Sequence, residues 1–190
     1  MENQYFENKI FDRTDFTKEK LITGDYEACR FNQCNFSAVD LSDLHFIDCV
    51  FDSCNVSLAK LIKTSFRDCA FKDCKLLGLL FFDCNAFLFS ASFDDCILND
   101  ASFYKMNLKK MQIKNSKLKE VDFTETGLSN AIITNCDLLN AKFENTILEK
   151  TDLRGSFNYS IDPEINKIKK AKFSLPAVVG LLNKYDIVIE

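Results

Sequence analysis

YEACRFNQCNF (Tyr26–Phe36), FIDCVFDSCNV (Phe46–Val56) and FRDCAFKDCKL (Phe66–Leu76) are one eleven-residue pattern printed three times, twenty residues apart, with two cysteines in each copy. Internal repetition of this kind decides the architecture ahead of any local signal. Working outward from these copies, a shorter period appears. Phe6, Phe11, Phe16, Leu21 and Tyr26 begin a series that stays apolar or aromatic at every fifth residue as far as Phe81. The frame then slips by two residues. A second series resumes at Leu88 and stays apolar at every fifth residue to Leu153. Two residues before each large position sits a mostly small one: Cys29, Cys34, Cys49, Cys54, Cys69 and Cys74 in the first half, Ala86, Ala91, Cys96, Ala101, Ala131, Cys136 and Ala141 in the second. The unit is small, any, large, any, any.

A period of five fits neither standard element. Five residues of α-helix turn through about 500°, so the large positions would spiral around every side. On a continuous strand, residues five apart face opposite ways, whereas residues two apart share a face. The consistent solution is a short extended stretch that points the small and the large residue inward, followed by a corner. A chain that keeps turning in this way becomes a solenoid. The cysteine pairs repeat at twenty, so each coil has four sides. Cys29, Cys49 and Cys69 then stack in one column, Cys34, Cys54 and Cys74 in the next. With coils ~4.8 Å apart, about seven and a half of them make a rod of roughly 36 Å.

This geometry gives the cysteines their first meaning. Cysteine is among the most buried residue types and packs as a small hydrophobe. Eight of the nine occupy the small inward slot, and Cys84, inside the frame slip, is the exception. A zinc site is the rival reading of thiols in columns, but it lacks histidine partners and close CxxC pairs. No cofactor is expected.

Composition narrows the rest. The chain has 190 residues, enough for one domain, and is 47% hydrophobic and 27% charged, so it buries a core. A net charge of −4 argues against nonspecific nucleic-acid binding, which needs lysine and arginine against phosphates. MENQYFENKIF at the N-terminus has no apolar signal-peptide core, and the apolar run LLGLLFF (Leu76–Phe82) is too short to span a bilayer. A cytoplasmic protein with reduced thiols and no membrane contact is expected.

The units AVDLS (38–42), NDASFYKMNL (99–108), NAKFEN (140–145) and KTDLRG (150–155) resemble the pentapeptide-repeat family, over about residues 4–155. That resemblance implies an all-β fold, a right-handed quadrilateral β-helix, with a short C-terminal α-helical cap. It divides the chain into a solenoid, residues 1–157, and a capping or dimerisation module, residues 158–190. Within the family, the quinolone-resistance proteins that bind type II DNA topoisomerases are similar in solenoid length, in one break of register and in a C-terminal module that joins two copies. The resemblance implies a noncatalytic DNA mimic that docks on gyrase or topoisomerase IV as a homodimer, with no direct nucleic-acid contact. The alternative is a structural or adaptor solenoid for an unrelated protein partner.

Three sets of residues are candidates for contact. Asp25, Glu27, Asp48 and Asp68 fall on one predicted wall, where Lys109 and Lys110 reverse the sign further along. In the frame slip, Leu77, Leu80, Phe82, Phe87 and Phe89 flank inward positions. Either they form an exposed apolar patch or a bulge re-buries some of them. After Leu153 the pattern fails at Asn158. Ala171 and Phe173 read as one more inward pair, Ser174 and Pro176 as a helix start, and YDIVIE as a final strand. Leu182, Ile187 and Ile189 are the candidates for joining two chains. Catalytic chemistry is missing. His45, the one histidine, has no partners for a triad, no phosphate loop or HExxH is present, and Glu19 is the one carboxylate at an inward position.

Overall fold

A computed structural model describes residues 4–188. The chain winds as a four-sided coil. One wall is a parallel sheet of β1 (Gln4–Glu7), β3 (Gly24–Glu27), β5 (His45–Ile47) and β7 (Ser65–Arg67). A second wall is the longer parallel sheet of β2 (Ile10–Asp12), β4 (Arg30–Asn32), β6 (Val50–Asp52), β8 (Cys69–Lys72), β9 (Ala91–Asp94), β10 (Gln112–Lys114) and β11 (Ile132–Thr134). The other two walls are held by single bridges such as Asn35↔Asn55 and Ser102↔Asp122. The register is twenty within each half, as in Tyr26↔Phe46 and Phe51↔Phe71, and twenty-two across the slip, as in Phe71↔Phe93.

The corners are made by one residue per unit in the left-handed conformation, for example Asp43, Asp48, Asp68, Asp73, Asn130 and Asn135, with φ between 49° and 60°. Aspartate and asparagine tolerate this region better than other side chains, which is why they recur there.

Inside, the large residues stack coil on coil. Phe11, Phe31, Phe51 and Phe71 lie with ring centroids 4.7–4.8 Å apart and planes within 10°. Across a corner, Phe46 meets Phe51 edge-on at 5.3 Å and 73°. Stacking along columns and edge contacts between them are the two favoured aromatic geometries, so one core uses both. At the start of the second coil the small slot falls to glycine. A Cβ at Gly24 would collide with the carbonyl oxygen of Gln4, so only glycine lets β1 close on β3.

The frame slip departs from the expectation in three places. Phe81–Asp83 forms a 3₁₀ turn, and Cys84 then fills the small slot after Thr64, with 7% exposure. Phe89, expected on an outward patch, turns in and packs edge-on against Phe66 and Phe81 at 6.4 and 6.1 Å. Leu88 and Ala86, expected inward, are exposed. The two added residues let the chain choose which apolar side chain fills the gap. An aromatic ring reaches both neighbouring rings, which a leucine cannot do. Glu19, expected inward, is also exposed, because a turn of hydrogen bonds onto the Asp15 carbonyl carries it away from the core.

Past Leu153 the coil runs on through bridges Ile147↔Lys167 and Asp152↔Lys172, with Tyr159, Ile161 and Asn166 buried. The helical cap is wound as 3₁₀ turns, Leu175–Leu181 and Asn183–Tyr185, with Ser174 at its start. Lys184 ties it down by contacting Asp162 at 2.8 Å and Glu164 at 2.6 Å. The expected strand at YDIVIE does not form through Val188. Tyr185 ends a helical turn and Asp186 takes φ 48°.

Candidate binding surfaces

The small inward slot does more than save space. Cys49 Sγ donates to the Tyr26 carbonyl at 3.2 Å and Cys54 Sγ to the Phe31 carbonyl at 3.1 Å, each twenty-three residues back. Thr64, Thr126, Thr146 and Thr151 donate to the equivalent carbonyls at 2.7–2.8 Å, as do Ser156 and, through its amide, Asn166. One donor on a short side chain satisfies one buried carbonyl of the coil before it. Cysteine, threonine and serine therefore share these columns as donors, beside residues such as Ala101, Val121 and Ala131 that fill the same slot by packing alone. The recurrence of those three types at one slot is the signal that sequence reasoning passed over when it read them only as small.

The thiols are structural. All nine are free and buried. Burial pushes Cys49 up to about 12 and Cys136 up to about 11, and Cys69 and Cys84 are raised for the same reason. Among the described residues, no group of three or more histidine, cysteine, aspartate or glutamate side chains is placed to hold a metal ion. No helix among them is long and apolar enough to cross a membrane.

The apolar candidates come together around the slip, and their number grows. Leu80 and Phe82 are 44% and 43% exposed, and Phe87 is 70% exposed. Phe82 lies one coil above Ile62 and meets Tyr104, one coil further on, edge-on at 6.4 Å. Leu58 lies over Gly78 at the neighbouring corner, beside Leu77. Leu88 joins Phe87 on the wall beyond Cys84. Leu58 and Ile62 were not singled out in the sequence, and Leu88 was read there as an inward position. Leu58 and Ile62 each lie one coil before the slip and reach it only through the register of twenty.

The four acidic candidates do share one wall and its corner, but three of them already hold partners. Asp25 sits 2.7 Å from His45 Nδ1, Glu27 accepts from the Tyr5 hydroxyl at 2.6 Å, and Asp68 accepts from Ser90 at 2.8 Å. Asp48 and Asp68 stand one coil apart on the same corner. Arg67, on β7, interrupts the negative surface. At the other end, Leu182 and Ile187 are exposed on the cap, and Ile189 lies outside the described residues.

The family model described as pentapeptide repeat region matches residues 25–87 and 81–153. No curated protein matches the sequence. Among solved structures, the chain is similar to full-length QnrB1, a plasmid-mediated fluoroquinolone resistance protein, at 18% identity and a TM-score of 0.48 over 97% of this chain and 100% of that one. It is also similar to HetL, a pentapeptide repeat protein involved in heterocyst differentiation regulation from the cyanobacterium Nostoc sp. strain PCC 7120, at 18% identity and a TM-score of 0.47 over 88% of this chain and 84% of that one.

Proposed function

The chain belongs to the pentapeptide-repeat family, and on that premise we propose that it is a noncatalytic protein-binding solenoid whose contact surface is the apolar cluster at the frame slip. One observation carries this reading. Leu58, Ile62, Leu77, Leu80, Phe82 and Phe87, all large and all exposed, gather around the one place where the regular coil is broken. Clusters of that kind on an otherwise polar surface mark protein contacts, and aromatic side chains dominate the energy of such contacts. The reading places the protein in the cytoplasm, with reduced thiols. The test is affinity capture from the native host with the wild-type chain and with Phe82→Asp and Phe87→Asp. Both side chains are exposed, so the variants keep the fold. Loss of the captured partner supports the surface; an unchanged set of partners removes it.

A second reading is DNA mimicry toward a type II DNA topoisomerase, with carboxylates standing where phosphates normally lie. The stacking of Asp48 and Asp68 on one corner, with Asp25 and Glu27 on one strand of the adjoining wall, favours it. Two copies joined through Leu182, Ile187 and Ile189 would double that surface. Gyrase supercoiling with and without ciprofloxacin decides this reading. Absence of both protection and inhibition at micromolar protein ends it. Sedimentation of the chain truncated after Phe173 decides the dimer, which is wrong if the truncated protein keeps the mass behaviour of the full chain.

A further inference from the structure

Net charge is an average, and the coil sorts it. Lys110, Asn130, Lys150 and Lys170 are all left-handed corner residues, with φ of 67°, 60°, 58° and 60°, and the register of twenty lines them up on one edge of the rod. Lys109 and Lys169 stand immediately before two of those corners. Lys167 bridges onto Ile147 on the wall that leads to the edge. All of these lysines are exposed. Among the described residues, none of the six has a carboxylate within ion-pairing distance. Three carboxylates lie nearby. Asp68 lines one hollow with Lys109 and Lys110 and accepts from Ser90. Glu149 is half-buried beside Lys150, and Asp152 is already neutralised by Arg154 at 2.7 Å and Lys172 at 3.8 Å. Lys150, Lys170 and Lys172 also flank a hollow of about 470 Å³ floored by Ala131 and Ile132. The same edge carries Asp48 and Asp68 before the slip, so its sign changes along the rod.

We infer that this C-terminal edge is a docking strip for the phosphate backbone of duplex nucleic acid. Protein interfaces are depleted in lysine and centre on aromatic or apolar anchors, which this strip lacks, so a protein partner fits poorly. Single strands are held by stacking their bases on aromatic rings, and none of the residues that form this strip is aromatic. A rigid straight row of unpaired ammonium groups, one coil (~4.8 Å) apart where they are adjacent, suits a regular polyanion read by charge alone. Binding is therefore independent of sequence and steeply dependent on salt. With about five phosphates neutralised, affinity falls on the order of several hundred-fold between 50 and 200 mM salt.

The test is fluorescence anisotropy of a labelled twenty-base-pair duplex titrated with the full chain at both salt concentrations. Three further arms use Lys150→Glu with Lys170→Glu, a control with Lys72→Glu and Lys75→Glu in the other half of the rod, and competition by poly-glutamate or by phosphatidylserine vesicles. The inference expects binding at 50 mM salt that two random duplexes share. It also expects a loss of tenfold or more in the first variant, a control like the wild type, and little competition from either competitor. No binding at 50 mM salt overturns it, as does an equal loss in the control. Displacement by poly-glutamate assigns the strip to an acidic protein segment instead, and displacement by vesicles assigns it to a membrane surface.

Discussion

Replacing Thr126 with valine isolates the hydrogen bond that the small slot supplies. Thr126 is fully buried, and its hydroxyl donates to the Phe103 carbonyl at 2.8 Å. That carbonyl also accepts from the Met106 amide at 3.1 Å, so valine removes one of its two bonds and leaves the other. Valine keeps the shape of threonine, so no cavity opens. The net loss of one such bond is about 1 kcal/mol, which lowers the melting temperature of a chain this size by roughly 2–4 °C. Thr126→Cys supplies the discriminating control. Thiols make the same bond elsewhere in the coil, at 3.1 Å from Cys54 to Phe31, so cysteine recovers part of the loss. Urea unfolding followed by circular dichroism, with the slope unchanged, gives the ranking threonine, then cysteine, then valine. A valine variant as stable as the wild type refutes the donor slot and returns these columns to mere packing.

Two further outcomes follow from the same core. A disulfide-exchange reagent leaves all nine cysteines unlabelled in the native protein and labels them in denaturant, since all nine are buried out of the reagent's reach; rapid native labelling contradicts the buried columns. Acid removes stability in a defined direction. Asp15 is drawn down to about 2 by hydrogen bonds from Thr17 and Lys18, and Asp152 is lowered by its hydrogen bond from Arg154. Carboxyls depressed on folding stabilise above their ordinary value near 4, and that contribution is lost as pH falls toward 2. Melting temperature is therefore flat from pH 7 to 5 and falls below 4; a fall that begins above pH 5 contradicts this assignment.

How much of this was legible in the sequence depends on what each residue's position rests on. The large slot was legible because an apolar residue at every fifth position, as from Phe31 to Phe71, fits neither a helix nor a continuous strand, and only a chain that turns at each unit faces them all inward. The slip was legible as a break but not in its detail. Leu88 and Phe89 are adjacent and both apolar, and only the gap between Phe66 and Phe81 selects the ring. Cys84 was set aside because the large position two residues on is Ala86, although Cys84 itself continues the spacing of five from Leu79; the slot after Thr64 is filled before the added residues intervene. The lysine edge shows the same limit from the surface side. Lys110 and Lys170 are sixty positions apart, and nothing local in either segment says that they share an edge. YDIVIE reads as a strand by its β-branched residues, but a strand needs a neighbour with free backbone groups, and through Val188 it pairs with none.

The coil itself is tested most directly by one distance. Asp12 and Thr134 are joined by an unbroken ladder through Asn32, Asp52, Lys72, Asp94 and Lys114, six steps in all. At ~4.8 Å per step, their backbones lie about 29 Å apart. Nitroxide labels on Asp12→Cys and Thr134→Cys, attached while the native thiols stay buried, should give a single narrow pulsed-dipolar distance near that value. A three-sided coil takes about eight turns between the same residues and gives roughly 39 Å, and that longer peak, or a broad distribution, contradicts the four-sided wall.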